Sequence, residues 1–306
     1  MSHNNEPQQQ TLPTTSVDIK TESEVSDFFA LLKPRVMSLV VFIGFAGYWI
    51  APDRASLHPF LALMGILSLA LGAGASGAFN MWYERDIDSI MKRTQNRPLP
   101  LGKIAPDDAL GFAIFMSILA VMMMTLSTNW VAASVLAVAS LFYIFIYTVW
   151  LKRRTPQNIV IGGAAGAFPP MVGYAMVTGT VSLESIVLFL IVFLWTPPHF
   201  WALALFANED YKRANIPMMP VIAGEASTKR QMLFYTLILF PVAMAPYFMG
   251  FAGMLYGAVA GLLGLFFIFT SIRVMRDETH KSAKLMFGFS VFYLFALFLA
   301  LMLDHI

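Results

Sequence analysis

Nine apolar stretches, each long enough to cross about 30 Å of hydrocarbon, constrain this chain more than any other feature. They run near 36–51, 58–80, 106–126, 129–150, 157–178, 184–206, 231–250, 253–273 and 285–303. Inside lipid a backbone finds no water to bond, so segments of this length and apolarity become helices. The expected fold class is therefore all-α and integral to a membrane, with nine transmembrane helices in a bundle. The stretches near 36–51 and 231–250 are short or interrupted by proline, which leaves their ends open. Composition agrees: 58% of the 306 residues are hydrophobic and 12% are charged, with a mean hydropathy of +0.68. No soluble domain is expected, because every polar loop between the stretches is short.

The basic residues set the orientation. With a cytoplasmic N-terminus, 19 of the 20 Lys and Arg residues fall on the cytoplasmic side, leaving only Arg54 opposite. So lopsided a split is the positive-inside pattern, and it puts the C-terminus on the far side. Residues 1–28, with a Gln-Gln-Gln run and five acids, read as a disordered acidic tail. The tail lacks the basic start of a signal peptide and the Arg-rich, acid-poor character of a transit peptide. Direct insertion into a bacterial inner membrane is the expectation, with the lipid bilayer as first partner. Cysteine is absent, which excludes a disulfide framework and thiolate metal ligands. A net charge of +2 says little about partners, and nucleic acid is not expected among them.

None of the nine stretches carries an acid or base firmly in mid-membrane, which weighs against an ion-coupled transporter or carrier. The polar chemistry gathers instead in three loops, 81–105, 151–158 and 207–230, each following an even-numbered stretch. They share one side of the membrane and can converge over one mouth of the bundle. The first runs on from Asn80. On a helix Asn80, Glu84 and Asp88 fall at i, i+4 and i+8, placing three oxygen-bearing side chains on one face. Such oxygens suit Mg²⁺, which commonly shares its shell with substrate phosphates. Arg93 and Arg97, again four apart, offer forks that match phosphate or carboxylate oxygens. A metal-bound diphosphate at a membrane surface is the chemistry this pattern suggests.

The second loop, Lys152-Arg153-Arg154-Thr155-Pro156-Gln157-Asn158, is either a topology anchor or, beside an acidic metal site, a phosphate contact through Lys152. Gly162-Gly163-Ala164-Ala165-Gly166-Ala167 reads as a close-packing face, and Phe168-Pro169-Pro170 as a kink. In the third loop Glu209 and Asp210 supply either a second carboxylate site or a solvated helix cap. His199, within Trp195-Thr196-Pro197-Pro198-His199-Phe200-Trp201, is the one histidine inside a stretch. It can bond a neighbouring helix, ligate haem iron or assist a proton transfer.

Taken in order, these pieces resemble a known family. Asn80-x-x-x-Glu84-Arg85-Asp86-x-Asp88, followed by Met91-x-Arg93-Thr94-x-x-Arg97-Pro98-Leu99, resembles the signature of UbiA-type intramembrane prenyltransferases. Leu151-Lys152-Arg153, Asn158-Ile159-Val160-Ile161-Gly162-Gly163, the Thr196-Pro197-Pro198-His199 run and Asp210-Tyr211 before Ile216-Pro217-Met218 are similar to the branch of that family that farnesylates haem. The likeness extends from about Phe28 to the last helix. It implies a bundle around a central cavity, capped by the loops after the second and sixth helices. It also implies the reaction: the farnesyl group of farnesyl diphosphate passes to a vinyl group of haem b, water adds, and haem O results for a haem A synthase to use. Under this resemblance Mg²⁺ is the metal, held by Asn80, Glu84, Asp88 and Asp210. Lys152, Arg93 and Arg97 clamp the diphosphate, with one of the arginines alternatively on a haem propionate. Arg153, Asn158, His199 and Tyr211 are the remaining expected substrate contacts.

Two departures stand out. Relatives that prenylate aromatic rings carry a spaced Asp-x-x-x-Asp in the second acidic loop, whereas Ala214 stands four residues after Asp210 here. Glu84 also stands where many relatives have Asp. Asp86, on another helical face, is expected to serve Arg85. A family member acting on a quinone precursor or on chlorophyllide would share the first loop; the Thr-Pro-Pro-His run and the single second-loop Asp favour the haem branch.

Overall fold

The computed structural model describes residues 23–305, and these contain helices and turns with no strand among them. In chain order the helices are α1 (Val25–Leu31), α2 (Pro34–Trp49), α3 (Pro59–Tyr83), α4 (Arg85–Ile90), α5 (Pro106–Ser127) and α6 (Trp130–Leu141). A π-helix, Phe142–Leu151, continues α6. Then follow α7 (Asn158–Gly162), α8 (Ala164–Ala167), α9 (Pro169–Thr178), α10 (Leu183–Phe206), α11 (Asn208–Arg213), α12 (Met219–Ile222), α13 (Gly224–Phe248), α14 (Met254–Arg276) and α15 (Lys281–Leu303). Eight spans have the length and hydropathy to cross a membrane, and α1 with α2, bent by 53°, make a ninth.

Local chemistry sets the boundaries. Pro34, Pro59, Pro106 and Pro169 open their helices, where a missing N–H costs nothing and φ is preset. The Asn129 side chain accepts a hydrogen bond from the Ala132 amide and caps α6. Pro169 opens α9 and so divides the stretch 157–178, as its prolines predict. The stretch near 231–250 is longer than expected: α13 starts at Gly224 and runs on through Pro241 and Pro246, which neighbouring helices allow in a membrane. The first stretch also begins earlier, because the bend at Lys33 joins α1 to it. Of the tail expected over 1–28, residues 1–22 lie outside the described residues, and Val25–Phe28 belong to α1. There Phe28 packs on Phe112 with ring centroids 5.3 Å apart.

Lipid tails are as apolar as leucine, so helices associate here by close packing and interhelical hydrogen bonds. α2 and α9 approach until backbones touch: a Cβ on Gly173 would collide with the Gly44 carbonyl oxygen. Bonds between spans tie the bundle elsewhere. Trp49 Nε1 donates to Met302 O at 3.1 Å, Trp195 Nε1 to Ser290 O at 2.8 Å, and Tyr256 Oη to Ala243 O at 2.7 Å. Each such bond contributes roughly 0.6 kcal/mol. Trp201, Tyr256, Tyr293 and Phe267 form the sealed centre of α10, α14 and α15, while Phe115, Leu126, Trp130, Phe248 and Leu262 stay exposed on the outside. A soluble protein would hide such side chains; a bilayer solvates them.

Candidate active site

The first loop folds as its spacing predicts, across a helix junction. α3 ends at Tyr83 and α4 begins at Arg85, yet i→i−4 bonding continues: Glu84 N donates to Asn80 O at 3.0 Å and Asp88 N to Glu84 O at 2.8 Å. The three side chains therefore stay stacked. All three are buried, Glu84 to 1% exposure. A buried carboxylate needs partners, and these come from distant parts of the chain. Lys152 Nζ closes on Glu84 Oε2, and Arg97 Nη1 donates to Asp88 Oδ2 at 2.6 Å. Asn80 takes Lys33 Nζ on its Oδ1 at 2.9 Å and donates to Thr148 Oγ1 at 3.3 Å.

Lys33 reaches this cluster because of the break between α1 and α2. The residue before a proline avoids the helical region, and Lys33 instead adopts φ 52°, ψ 55°. A left-handed conformation costs a non-glycine residue roughly 1–2 kcal/mol. That cost turns the chain and aims the side chain inward. Lys33 also lies within electrostatic reach of Arg97, Glu84, Lys152 and Asp88. Sequence reading missed it; the signal was a lysine held by the following proline at the mouth of the first span.

The π-helix supplies the opposite wall. Its i→i−5 bonding, seen where Lys152 N donates to Tyr147 O at 2.9 Å, puts residues five apart on one face. Lys152 Nζ consequently sits 5.7 Å from the Tyr147 ring, and the Tyr143 ring lies 5.2 Å from Tyr147, tilted by 42° to it. Lys33, Tyr143, Tyr147 and Lys152 each keep some accessible surface while lying inside the bundle, so this end of the fold opens into a recess. Gly162 belongs to this wall, since a Cβ there would run into the Tyr147 ring. The glycine face read as packing thus clears space for a tyrosine of the site.

The remaining predicted residues of the first two loops are placed less uniformly. Arg93 and Arg97 sit in turns after α4, not on one helix face; Arg97 points inward and Arg93 is exposed. Arg153 is also at the surface, where its guanidinium grips Asp86 at 2.7 and 2.9 Å and lies 5.1 Å over the Tyr83 ring. Asp86 therefore serves Arg153 and not Arg85, which donates to Trp82 O at 2.8 Å. The Arg153 guanidinium holds the Asp86 carboxyl below the usual carboxylate range. Asn158 is buried and joins two loops, with Nδ2 donating to Thr155 O at 2.6 Å and Pro217 O at 3.5 Å.

The third loop is built differently. Glu209 is outward and paired with Lys212 at 2.9 Å; Asp210 is paired with Arg213 three residues on. Asp210 makes no hydrogen bond or ion pair with the first-loop acids among the described residues. Tyr211 is buried and close enough to Tyr147 for the two phenols to interact electrostatically. His199 lies deeper, between Trp195 and Phe287.

In the polar loops, three buried carboxylate or amide oxygens have no protein partner among the described residues: Glu84 Oε1, Asn158 Oδ1 and Asn208 Oδ1, one from each loop. Among the described residues no three acids or histidines converge as a ready-made metal cage. The donor set nonetheless fits Mg²⁺, which takes hard oxygens and is commonly held by one or two carboxylates together with substrate phosphates. Glu84 Oε1, buried and partnerless, is the oxygen most in need of such a cation.

Comparison with known proteins identifies the family. Residues 40–301 match the UbiA prenyltransferase family. The chain is 56% identical over 290 residues to "Protoheme IX farnesyltransferase 2" of Mesorhizobium japonicum, covering 94% of this chain and 92% of that one. It is 53% identical to "Protoheme IX farnesyltransferase" of Rickettsia bellii, covering 92% and 93%. Among solved structures, a UbiA homolog from Archaeoglobus fulgidus bound to DMAPP and Mg²⁺ superposes with a TM-score of 0.69 at 17% identity, over 89% of this chain and 99% of that one. Fold, first-loop ladder and relatives together place this chain in the UbiA prenyltransferase family.

Proposed function

We propose that this protein transfers the farnesyl group of farnesyl diphosphate to a vinyl group of haem b, yielding haem O and diphosphate. One observation carries the reading: a sealed carboxylate, Glu84, with one oxygen on Lys152 and the other free, beside Asn80 and Asp88 and ringed by Lys33 and Arg97. Relatives more than half identical, bearing the name protoheme IX farnesyltransferase, support the choice of acceptor.

Asn80, Glu84, Asp88 and, from the third loop, Asp210 are the residues that would hold Mg²⁺. When bound, the metal neutralises diphosphate charge and so makes it a better leaving group. Lys33, Lys152 and Arg97 then exchange a protein carboxylate or amide for phosphate oxygens. These cations bind the departing diphosphate more tightly than the ester, because negative charge on it grows as the C–O bond breaks. The bond's electron pair leaves with the diphosphate, and the allylic carbon is captured by the vinyl π electrons. Water adds to the resulting cation and loses a proton. Tyr143 and Tyr147 present ring faces beside the cationic end of the recess, and the apolar bundle keeps water from the allylic carbon before capture. Arg93, Arg153, Asn158 and Tyr211 are assigned to the rim, where Arg93 or Arg97 meets diphosphate or a haem propionate.

The basic end faces the cytoplasm of a bacterial inner membrane, with the C-terminus opposite, and a haem A synthase is the consumer of the product. The test is purified protein in detergent with farnesyl diphosphate, haem b and Mg²⁺. The expected product is haem heavier by one farnesyl and one hydroxyl group on mass spectrometry, lost on chelation and restored by Mg²⁺. Diphosphate release with a quinone precursor or chlorophyllide but none with haem would overturn the acceptor assignment. No diphosphate release with any acceptor would point to a carrier.

A further inference from the structure

His199 lies inside α10, seven residues from its Phe206 end, which is about 10 Å into the bundle at 1.5 Å per residue. Its ring is clamped on both faces, by Trp195 at 4.2 Å and Phe287 at 4.7 Å, both stacked. Its Nδ1 lies 2.6 Å from Ser290 Oγ. The direction of that bond follows from proton counting. Ser290 Oγ is also 2.6 Å from the Phe287 carbonyl oxygen, and a carbonyl can only accept. The single hydroxyl proton goes to Phe287 O, so the hydroxyl must accept from His199, and the imidazole proton sits on Nδ1. Nε2 is left as a bare lone pair.

Nothing in the protein uses that lone pair. Nε2 makes no hydrogen bond among the described residues, although the residue is only 8% exposed. It is also not sealed, unlike Trp201 Nε1 and Tyr293 Oη, which are buried without partners. A histidine serving only to pin helices would spend both nitrogens on the protein. One whose Nδ1–H is held by a fixed acceptor, with Nε2 open, has the arrangement that orients metal-binding imidazoles. Pro197 and Pro198, just before it, remove two backbone donors from this part of α10.

We infer that His199 Nε2 is an axial ligand to the iron of the haem substrate, with Ser290 as the positioning residue that sets its tautomer and Trp195 and Phe287 fixing its plane. This rests on the haem reading above and adds to it a fixed point for the acceptor. The ligand fixes the iron, and with it the distance of the vinyl edge from the diphosphate end of the recess.

The test is a titration of the detergent-purified full chain with ferric haem b, followed by the Soret band and by electron paramagnetic resonance. Wild-type protein should show histidine nitrogen on the iron. His199→Ala should lose that signature and bind haem about tenfold to a hundredfold more weakly, with farnesyl diphosphate binding intact and the Soret band restored by added imidazole. Ser290→Ala should keep the nitrogen signature while weakening haem about tenfold. Unchanged haem affinity and spectrum in His199→Ala overturns the inference. If that variant does not fold, a wild-type complex without histidine nitrogen on the iron overturns it equally. Farnesyl transfer to haem by such a wild type would sink the ligand assignment alone. Histidine-ligated haem with no transfer would sink the proposed reaction alone.

Discussion

The first and third polar loops both carry acids, and they use them in opposite ways. Glu84 and Asn80 are bound by Lys152 and Lys33, which are 68 and 47 residues away in the chain. Glu209 and Asp210 take Lys212 and Arg213, each three residues on. Long-range pairs between buried groups can form only if several spans are correctly placed, so they define a chamber. Short-range pairs at an exposed helix end form whatever the bundle does and are worth little. Identical residue types therefore carry different information, and burial with sequence separation distinguishes them.

That contrast can be broken, most forcefully at Lys152. Lys152→Met leaves the Glu84 carboxylate buried and uncompensated, which costs roughly 3–5 kcal/mol for a buried pair; farnesyl transfer should fall by about two to three orders of magnitude, as when a donor to a developing anion is lost. Thermal unfolding and turnover measured on the same preparation check both. Next comes a matched pair of substitutions. Asp88→Asn should lower turnover about a hundredfold and raise the Mg²⁺ needed for half-maximal rate, while Asp210→Asn should cost about tenfold, since its loop is not tied to the ladder. Equal losses would erase the distinction between the loops.

Gly162→Ala sharpens the comparison from the chamber's far wall. The new methyl must displace the Tyr147 ring, an overpacking cost of about 1–3 kcal/mol, and KM for farnesyl diphosphate should rise more than kcat falls. The smallest effects belong to the surface. The Arg153–Asp86 pair lowers the Asp86 pKa, so its stabilisation is present above the unfolded carboxylate value near pH 4 and fades as pH drops through the folded value. After solvent screening it is worth under about 1 kcal/mol. Arg153→Gln should remove that acid-side slope from the unfolding profile, checked by thermal unfolding followed as a function of pH. Glu209→Ala should change neither rate nor unfolding temperature measurably.

The spans were legible because lipid permits one solution for a long apolar run, and Asn80, Glu84 and Asp88 because their four-residue spacing survives the α3–α4 junction. Arg93 and Arg97 share that spacing, yet the chain there is in turns, where periodicity says nothing about direction. Asp86 was read against its sequence neighbour Arg85, but its partner came from the second loop. Lys33 and the two tyrosines of the π-helix stayed hidden for related reasons. A left-handed lysine before a proline and an i→i−5 register are tertiary outcomes with only weak local signals. Tyr143 and Tyr147 look like ordinary interfacial aromatics until the wider turn brings Lys152 beside them.

The widened turn of Phe142–Leu151 has a consequence for how this chain tolerates insertion and deletion. Losing one residue there would let the segment relax toward ordinary i→i−4 bonding and swing everything after it by about 100°. The hydrophobic length would still span the bilayer, and hydropathy would hardly change. Lys152 would nonetheless leave Glu84, so a loss invisible to any membrane-insertion machinery would disarm the enzyme.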